Sequence, residues 1–500
     1  MISSDSTSNT SGTRASEAAL LSSIVPGLGQ ATTGRTSQAW WLFAVNFVLI
    51  AAGFVIYRWF QLEAFKVAVT STGFVALLGL NLLLLAYRSA ATVGAYRSAS
   101  RPGTGASAAM ALAVAILVLV VPHLAVGYVA WTSHDLLTSV FGPGTQVAVD
   151  TTTTTTTDSG PTTTVTGPTT TTLPPTTTTT LPPRIWDGLE RLNIALLGSD
   201  MRPNQETLDP TDRRYLGHRT DVMIVVSINP APPYDVAMLS VPRFLSNFEM
   251  PEGTGVARTL DDWDWIGHVY RRAEDIAPHR YPGSGTPGEN AVKAALGELF
   301  GIPIHYYGLI TVGGFIDLID ALGGVEMDVP RRIVDRNYDT ADDHWGATRT
   351  TVVIDEGRQH LDGFHALAYA RIRSQSHEFA RMQRQRCILT ALVEQTSPID
   401  LLFNLGSVSQ AIKDSVLTDI PQDRLVDFID LLPNLKTENF TTLNIARSAY
   451  EIPAPNPSIR YFDIEQIRAD AQFLMRDPEG ARAALGLSGL DSTCEDSLDP

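Results

Sequence analysis

Two aspartates and six arginines of this 500-residue chain stand at the ends of apolar runs, in five short clusters. The clusters are Gly198-Ser199-Asp200-Met201-Arg202, Arg219-Thr220-Asp221, Ser240-Val241-Pro242-Arg243, Arg371-Ile372-Arg373, and Arg381 with Gln385. Arginine keeps its charge at any working pH and presents a planar fork of donors that matches phosphate oxygens. Aspartate supplies the hard oxygen ligands that Mg²⁺ takes. Together these residue types suit a doubly charged phosphate group held with a divalent metal. Taken singly, most of the clusters say little. Asp200 has the sequence of a turn, and Arg219 with Asp221 that of a solvated pair worth about 0–1 kcal/mol. Arg243 alone is a solvated arginine, and Arg381 with Gln385 could be the wet face of a helix. Arg371 and Arg373 are harder to dismiss. In a strand, residues two apart share a face, and two cations on one buried face are costly without an anion.

Each cluster needs an element to hold it. Residues 192–197, 222–228 and 236–241 are apolar runs of strand length. The Pro-rich link Asn229-Pro230-Ala231-Pro232-Pro233-Tyr234 makes the second and third antiparallel neighbours. Asp200 follows the first run at its carboxyl end, a favoured place for ligands in open sheets. Val292, Leu296, Leu299 and Phe300 give residues 290–300 helical spacing, with Gly301 as a stop. Residues 306–312 read as a strand, 315–322 as a helix closed by Gly323-Gly324, and 325–329 as a strand. Residues 368–372 again read as a strand, and 378–395 as a helix. On that helix Arg381, Arg384 and Gln385 share one side while Met382, Leu389 and Leu392 share another. Residues 441–445 offer one more strand. The alternation predicts an α/β fold, a sandwich of α/β/α type with one central mixed sheet.

Three further stretches, 39–57, 67–86 and 108–131, reach the roughly 20 apolar residues that a membrane-crossing helix needs. Arg, Trp or Tyr flank each of them. Arg14 and Arg35 precede the first, and Arg88, Arg97 and Arg101 lie between the second and third, so both segments are expected in the cytoplasm. The expected location is therefore the cell membrane, multi-pass, with the N-terminus inside and everything after residue 131 outside. Residues 24–30 form a turn before the first span, to which no function is assigned. Residues 151–183 are nearly all Thr and Pro. Such a stretch cannot bury a core. It reads as a semi-rigid spacer of up to about 3 Å per residue, expected to lift the next domain off the membrane. The expected organisation is a cytoplasmic segment 1–38, a membrane region 39–131, a spacer 132–189, a globular domain 190–475 and a loose tail 476–500.

Charge and composition exclude several classes. Seven of the 37 basic and five of the 53 acidic residues fall before residue 151, which leaves 30 basic against 48 acidic in the rest. An acidic domain that concentrates its arginines in a few motifs lacks the basic face of a nucleic-acid binder. No Gly-rich loop ending in Lys-Ser/Thr appears, and no Gly-x-Ser-x-Gly elbow. The histidines show no metal-ligand spacing. The two cysteines, Cys387 and Cys494, are too few for a disulfide framework. Either they pair in an oxidising compartment or Cys387 is a buried thiol.

In order along the chain, residues 193–202, Arg219-Thr220-Asp221 with 225–230, Leu239-Ser240-Val241-Pro242-Arg243, 301–307, 315–330, Leu361-Asp362-Gly363, 366–373 and 381–385 resemble the LytR-CpsA-Psr proteins of bacterial cell envelopes. The resemblance covers about residues 190–395, with weaker similarity to about 470. It implies a phosphotransferase that moves a glycopolymer from a polyprenyl (pyro)phosphate carrier to peptidoglycan. It further implies Asp200 and Asp221 as ligands of Mg²⁺ (or Mn²⁺). Arg202, Arg219, Arg243, Arg371, Arg373 and Arg381 would form a pyrophosphate clamp that Gln385 assists, and Asp200, Asp221 and Arg243 the catalytic set. The implied partners are the polyprenyl-(pyro)phosphate-linked glycan, the peptidoglycan acceptor and the membrane, with no nucleic acid. Phe244 stands where the family commonly has an acid, and Leu245-Ser246-Asn247-Phe248 where a Lys often comes next. Two other readings stay open: a carrier-binding scaffold that keeps the clamp without turnover, and a lipid-carrier pyrophosphatase with water as acceptor.

Overall fold

The computed structural model describes residues 5–101, 106–141, 184–201, 219–250, 265–275, 286–339, 349–373, 378–395, 416–445, 448–453 and 460–490. The first two of these segments are helical: α1 (Asp5–Ile24), α2 (Leu28–Thr32), α3 (Thr36–Trp59), a short α4 (Gln61–Val69), α5 (Ser71–Ala99) and α6 (Ala106–Val140). Three of them, α3, α5 and α6, are long and apolar enough to cross a membrane. The second span starts later than expected because Thr70, whose side chain accepts from Gly73 N, separates α4 from α5. Both α5, with 29 residues, and α6, with 35, also outrun the expected spans. At 1.5 Å per residue they measure roughly 43 and 52 Å, well beyond a hydrocarbon layer of about 30 Å.

Each overhang has a partner. The end of α5 and the start of α6 hold α1, whose Ala15, Ala18, Ala19 and Ser22 are buried. Arg88 Nη2 donates to Ser23 O and Ile24 O, and Gln30 Nε2 donates to Ala91 O at 2.7 Å. The segment 1–38, expected only as a cytoplasmic stretch, is thus packed over most of its described length. Of residues 24–30 only 25–27 form the turn, between α1 and α2: Gly27 has φ 106°, and a Cβ on Gly29 at the start of α2 would sit 2.0 Å from Ala18 O.

The rest of the chain folds around a central sheet. Its elements begin with β1 (Leu192–Ser199), β2 (Thr220–Ile228), β3 (Val236–Val241), α7 (Val269–Asp275), α8 (Pro287–Phe300), β4 (Tyr306–Thr311), α9 (Val312–Ala321) and β5 (Val325–Val329). Next come β6 (Ile333–Asp339), β7 (Arg349–Ile354), β8 (Gly357–Leu361), α10 (Gly363–Arg371), α11 (Glu378–Gln395), β9 (Val416–Thr418) and α12 (Leu425–Leu431). The last are β10 (Phe440–Asn444), β11 (Glu451–Ile452), β12 (Tyr461–Phe462), α13 (Ile464–Arg476) and α14 (Pro478–Leu485). Six strands form one sheet in the order β10-β3-β2-β1-β4-β9. It is mixed, as expected: β1–β4 and β10–β3 are parallel and the other pairs antiparallel.

Alternation along the strands builds two cores, one per face. Ala195, Leu197, Met223, Val225, Leu239 and Val241 pack on α8 and α13 through Val292, Leu296, Leu299, Ile467 and Leu474. Ile194, Ile224, Ile228, Val236 and Met238 face Leu389 of α11 and Phe428 and Leu431 of α12. The domain is therefore an α/β/α sandwich. The expected strand 325–329 exists as β5, but it pairs with β8 outside the central sheet. With the β6–β7 hairpin, α9, α10 and one side of α11 it closes a separate core.

Residues 368–372 correct the strand reading: they lie in and just past α10. A short apolar run cannot distinguish the two states by periodicity. Here Asp362 caps the helix by accepting from His365 N, and Ala366, Ala368 and Ala370 are strong helix formers. The domain's limits also shift. Trp186 packs on the sheet, Ser488 O accepts from Thr442 N at 3.0 Å, and Leu490 is buried. Residues 184–189 and 476–490 thus belong to the globular unit. Cys387, also buried, is disulfide-bonded.

Helix α8 shows how tightly the domain's scaffold is tied. Thr286 and Glu289 form a reciprocal capping box, and Glu289, fully buried, also accepts from Tyr270 Oη at 3.0 Å. Glu289→Ala removes the cap and the charged acceptor of the buried Tyr270 hydroxyl. It should lower stability by about 2–4 kcal/mol, the sum of those two effects, as read by chemical denaturation of the detergent-solubilised chain.

The domain sits directly on the helical region. Leu137 at the end of α6 and Val69 of α4 pack against Ile429, Leu425 and Val426 around α12. Leu136 and Val140 pack on Leu318 and Val416. Phe141 extends the sheet by a parallel bridge to Thr418. Lys66 pairs with Asp430, and Gln422 Nε2 donates to Val69 O at 3.2 Å. This corrects the expectation that the Thr/Pro stretch lifts the domain away. The helix α6 runs through Val140, so residues 132–140 are no spacer, and its end docks on the domain because both surfaces are apolar. The Thr/Pro residues themselves lie outside the described residues.

Candidate active site

The site forms where β1 ends and β2 begins. These strands are antiparallel, so Ser199 and Thr220 are paired across a register shift, and the residues flanking them meet. Asp200 N donates to Arg219 O and Arg219 N to Asp200 Oδ1, both at 3.1 Å. The Arg219 guanidinium closes on the same carboxylate, with Nε at 2.9 Å and Nη2 at 2.5 Å from Oδ2. Two sequence clusters nineteen residues apart thus become one unit.

The next strand brings in the third cluster. Met223 pairs with Val241 between β2 and β3, so two residues back on one strand and two on from the other place Asp221 opposite Arg243. Arg243 Nη1 donates to Asp221 Oδ1 at 2.5 Å. The backbone here is held from behind: Gly267 N donates to Arg243 O, and a Cβ on Gly267 would meet Arg243 Cβ and Thr220 O at 3.0 Å.

Helix α11 closes the site from above the sheet. A narrow cleft, with room for about one water, lies between β2, β3 and α11, lined by Asp221, Arg243, Arg381 and Gln385 and by the apolar Val222, Ile224 and Met382. Arg381 is 3 % exposed. Of the two readings left open for the polar side of α11, the wet face falls: Arg381, Arg384 and Gln385 are all buried, as is Arg386. Arg384 and Gln385 hold the end of α10. Arg384 Nε donates to Tyr369 O, its Nη2 to Ile372 O, and Gln385 Nε2 to Ala370 O. That brings the fourth cluster beside the fifth.

Within the fourth cluster the two arginines part. Arg371 is the last residue of α10, and its Nη1 is buried with no hydrogen-bond partner among the described residues. Arg373 lies beyond the buried Ile372 and is exposed. They do not share a strand face, so the argument from two cations on one face falls with the strand. Arg202 lies outside the described residues. Phe244 is turned to packing: its ring lies 6.0 Å from that of Phe462, with the Arg460 guanidinium 5.2 Å from its centre. Arg386 belongs to none of the expected clusters. Its place one residue past Gln385 was its only sequence signal.

The two carboxylates differ electrostatically. Burial pushes the pKa of Asp200 up, and the charge of Asp221 adds to this; Arg219 offsets only part of it. Burial would also raise Asp221, but Arg243, with Arg381 and Arg219, outweighs it and holds Asp221 below the ordinary carboxylate range. Among the described residues no three His, Cys, Asp or Glu groups gather as a protein-only metal cage. Both carboxylates are instead taken up by arginines, Asp200 by Arg219 and Asp221 by Arg243.

The chain resembles known proteins over this same region. The sequence profile of the LytR_cpsA_psr family matches residues 147–473. A polyisoprenyl-teichoic acid–peptidoglycan teichoic acid transferase TagU of Bacillus mycoides is 27 % identical over 240 residues, 48 % of this chain and 63 % of that protein. The TagU protein of Halalkalibacterium halodurans is 29 % identical over 208 residues, 41 % of this chain and 56 % of its own length. The chain thus spans less than two thirds of the length of these curated relatives. Among solved structures, B. subtilis TagV is 22 % identical, covering 57 % of this chain and 98 % of its own, with a TM-score of 0.41. A structure described as TagT bound to LIIa-WTA is 22 % identical, covering 58 % and 91 %, with a TM-score of 0.39.

Proposed function

The chain belongs to the LytR-CpsA-Psr family, and on that premise we propose that it is a membrane-anchored phosphotransferase moving a glycopolymer from a polyprenyl (pyro)phosphate carrier to peptidoglycan. The observation that carries this reading is the cleft's lining. Arg243, Arg381 and Asp221 stand beside Val222, Ile224 and Met382 along one narrow cleft, and this adjoining of charged and apolar side chains matches the chemistry of a phosphate head on an apolar tail. TagU relatives are named as polyisoprenyl-teichoic acid–peptidoglycan transferases, which supports the same donor and acceptor here. The topology we propose puts the N-terminus in the cytoplasm and the domain outside. Arg88, Arg97 and Arg101 support this, as does the disulfide at Cys387, a bond that persists in oxidising compartments.

In the proposed reaction an acceptor hydroxyl oxygen attacks the phosphorus that carries the glycan. The bond from that phosphorus to the bridging oxygen breaks, polyprenyl monophosphate leaves with the electron pair, and the hydroxyl proton passes to a carboxylate. Phosphoryl transfer needs positioning and charge neutralisation more than covalent help. Arg243 and Arg381 would hold the phosphate oxygens, with Arg202, Arg219, Arg371, Arg373 and Gln385 completing the clamp. Asp200, whose proton affinity burial has raised, is the carboxylate better matched to accept the proton. Asp200 and Asp221 would hold Mg²⁺, which when bound neutralises developing charge on phosphate oxygens.

The purified chain, given a polyprenyl-diphosphate-linked glycan and peptidoglycan, should form a glycan–peptidoglycan phosphodiester; carrier binding without turnover would replace the transferase by a scaffold. That second reading draws on Phe244, which packs on Phe462 where relatives commonly carry an acid. In the metal-free chain Asp200 should titrate above the ordinary carboxylate range, because burial and the charge of Asp221 raise its pKa. Arg219→Gln removes a cation that favours the ionised form, so this titration, read by carboxyl NMR, should move further up in pH. A titration that moves down in that variant would refute the assignment.

A further inference from the structure

Arg386 of α11 is 5 % exposed, yet no carboxylate pairs with it among the described residues. Its one hydrogen bond there runs from Nη1 to Ser240 Oγ at 3.4 Å, and its Nε has none. The neighbouring arginines of the helix and sheet are engaged: Arg384 holds the carbonyls of α10, and Arg243 holds Asp221. A buried guanidinium offers five donors, and burial without a counter-ion is strongly unfavourable. That strain is visible in its pKa, which burial pushes down to about 10. Nothing among the described residues uses this charge.

Its position says what could. Ser240 lines the cleft, and pairs with Ile224 on β2, three residues further along the strand than Asp221. Ile224 and Met238, on the same sheet face, belong to the apolar core that Leu389 of α11 adjoins. Arg386 thus reaches the cleft through Ser240, and the pair stands beside the apolar core. We propose that Arg386 and Ser240 form an anion subsite that holds the phosphate ester nearest the apolar tail of the lipid carrier, while Arg243 and Arg381 hold the phosphate that is transferred. The identity of the tail rests on the proposed polyprenyl carrier; the anion subsite itself does not. The arrangement explains a costly residue: the charge is kept uncompensated because its counter-ion arrives with the substrate and stays on the leaving polyprenyl monophosphate.

The test uses the full-length chain in detergent, calorimetry with inorganic pyrophosphate and with polyprenyl monophosphate, and thermal melts without ligand. Arg386→Met should weaken binding of both probes by about 10- to 100-fold, the range for a lost hydrogen bond to a charged group. Without ligand it should melt at or above the parent's temperature, because an apolar side chain of similar length replaces an unpaired buried charge. Arg386→Lys, which keeps the charge, should recover part of the affinity. Parent-like binding in Arg386→Met would overturn the proposal. So would a parent that does not bind pyrophosphate, or a marked fall in melting temperature of Arg386→Met, which would mark a structural role. A parent that binds pyrophosphate through Arg386 but neither binds nor turns over a polyprenyl diphosphate would sink the carrier reading and leave the subsite standing.

Discussion

Asp221→Asn lowers turnover by about 10²- to 10³-fold, the usual loss when one preorganised electrostatic contact to a transferring group is removed, while the chain stays folded and still binds its carrier. The amide keeps the shape of the side chain and can still accept from Arg243, so the local structure survives. What it loses is the negative charge. Asp221 is the more firmly ionised of the two carboxylates because Arg243, Arg381 and Arg219 together overcome its burial. An amide there leaves those cations without their common counter-charge, so a phosphate binds as well or better in the ground state. The defect therefore falls on kcat and not on KM. On the proposed Mg²⁺ reading the same variant should respond less to added Mg²⁺ than the parent, since Asp200 alone would remain as a protein ligand. Parent-like turnover with unchanged Mg²⁺ dependence would remove Asp221 from the reaction.

Arg381→Gln acts on the other side of the same cleft. The guanidinium is buried among groups that line the cleft, including Asp221 and Arg243. Its loss should weaken binding of a polyprenyl diphosphate by about 10- to 100-fold, as for other charge-assisted contacts. It also changes a titration. Arg381 is one of the cations that lower the pKa of Asp221, so removing it moves that pKa up. A carboxylate with a lowered folded pKa contributes stability that is full above its unfolded pKa and is lost as pH falls through the folded one. In Arg381→Gln that loss should begin at higher pH, so acid unfolding should start earlier than in the parent. An acid-unfolding midpoint that stays put, with affinity unchanged, would place Arg381 outside the site.

Much of the site was legible because short antiparallel strands turn sequence order into proximity. Asp200 with Arg219, and Asp221 with Arg243, sit at facing strand ends, and strand-length apolar runs marked those ends. The central sheet and α8 were legible for the same reason, since periodicity and stops such as Gly301 are local signals. What failed was non-local. Residues 368–372 carry an apolar run too short to distinguish strand from helix, and the Asp362 cap decided the matter. The polar side of α11 could be read as solvated or as ligand-facing because helical spacing records amphipathy and not whether a second layer covers it; Arg384 and Arg386 are buried under α10 and the sheet. The seating of the domain on α4 and α6 was hidden by a low-complexity spacer, whose composition describes reach and is silent about where its ends dock.

The central claim is that the phosphorus carrying the glycan moves with it to peptidoglycan. The most direct test is a donor labelled at that phosphorus, incubated with the full-length chain, Mg²⁺ and peptidoglycan. The label should appear in a phosphodiester on peptidoglycan, with unlabelled polyprenyl monophosphate released in equal amount. Label released as soluble glycan phosphate, or retained on the lipid while the carrier stays bound, would contradict the transferase assignment.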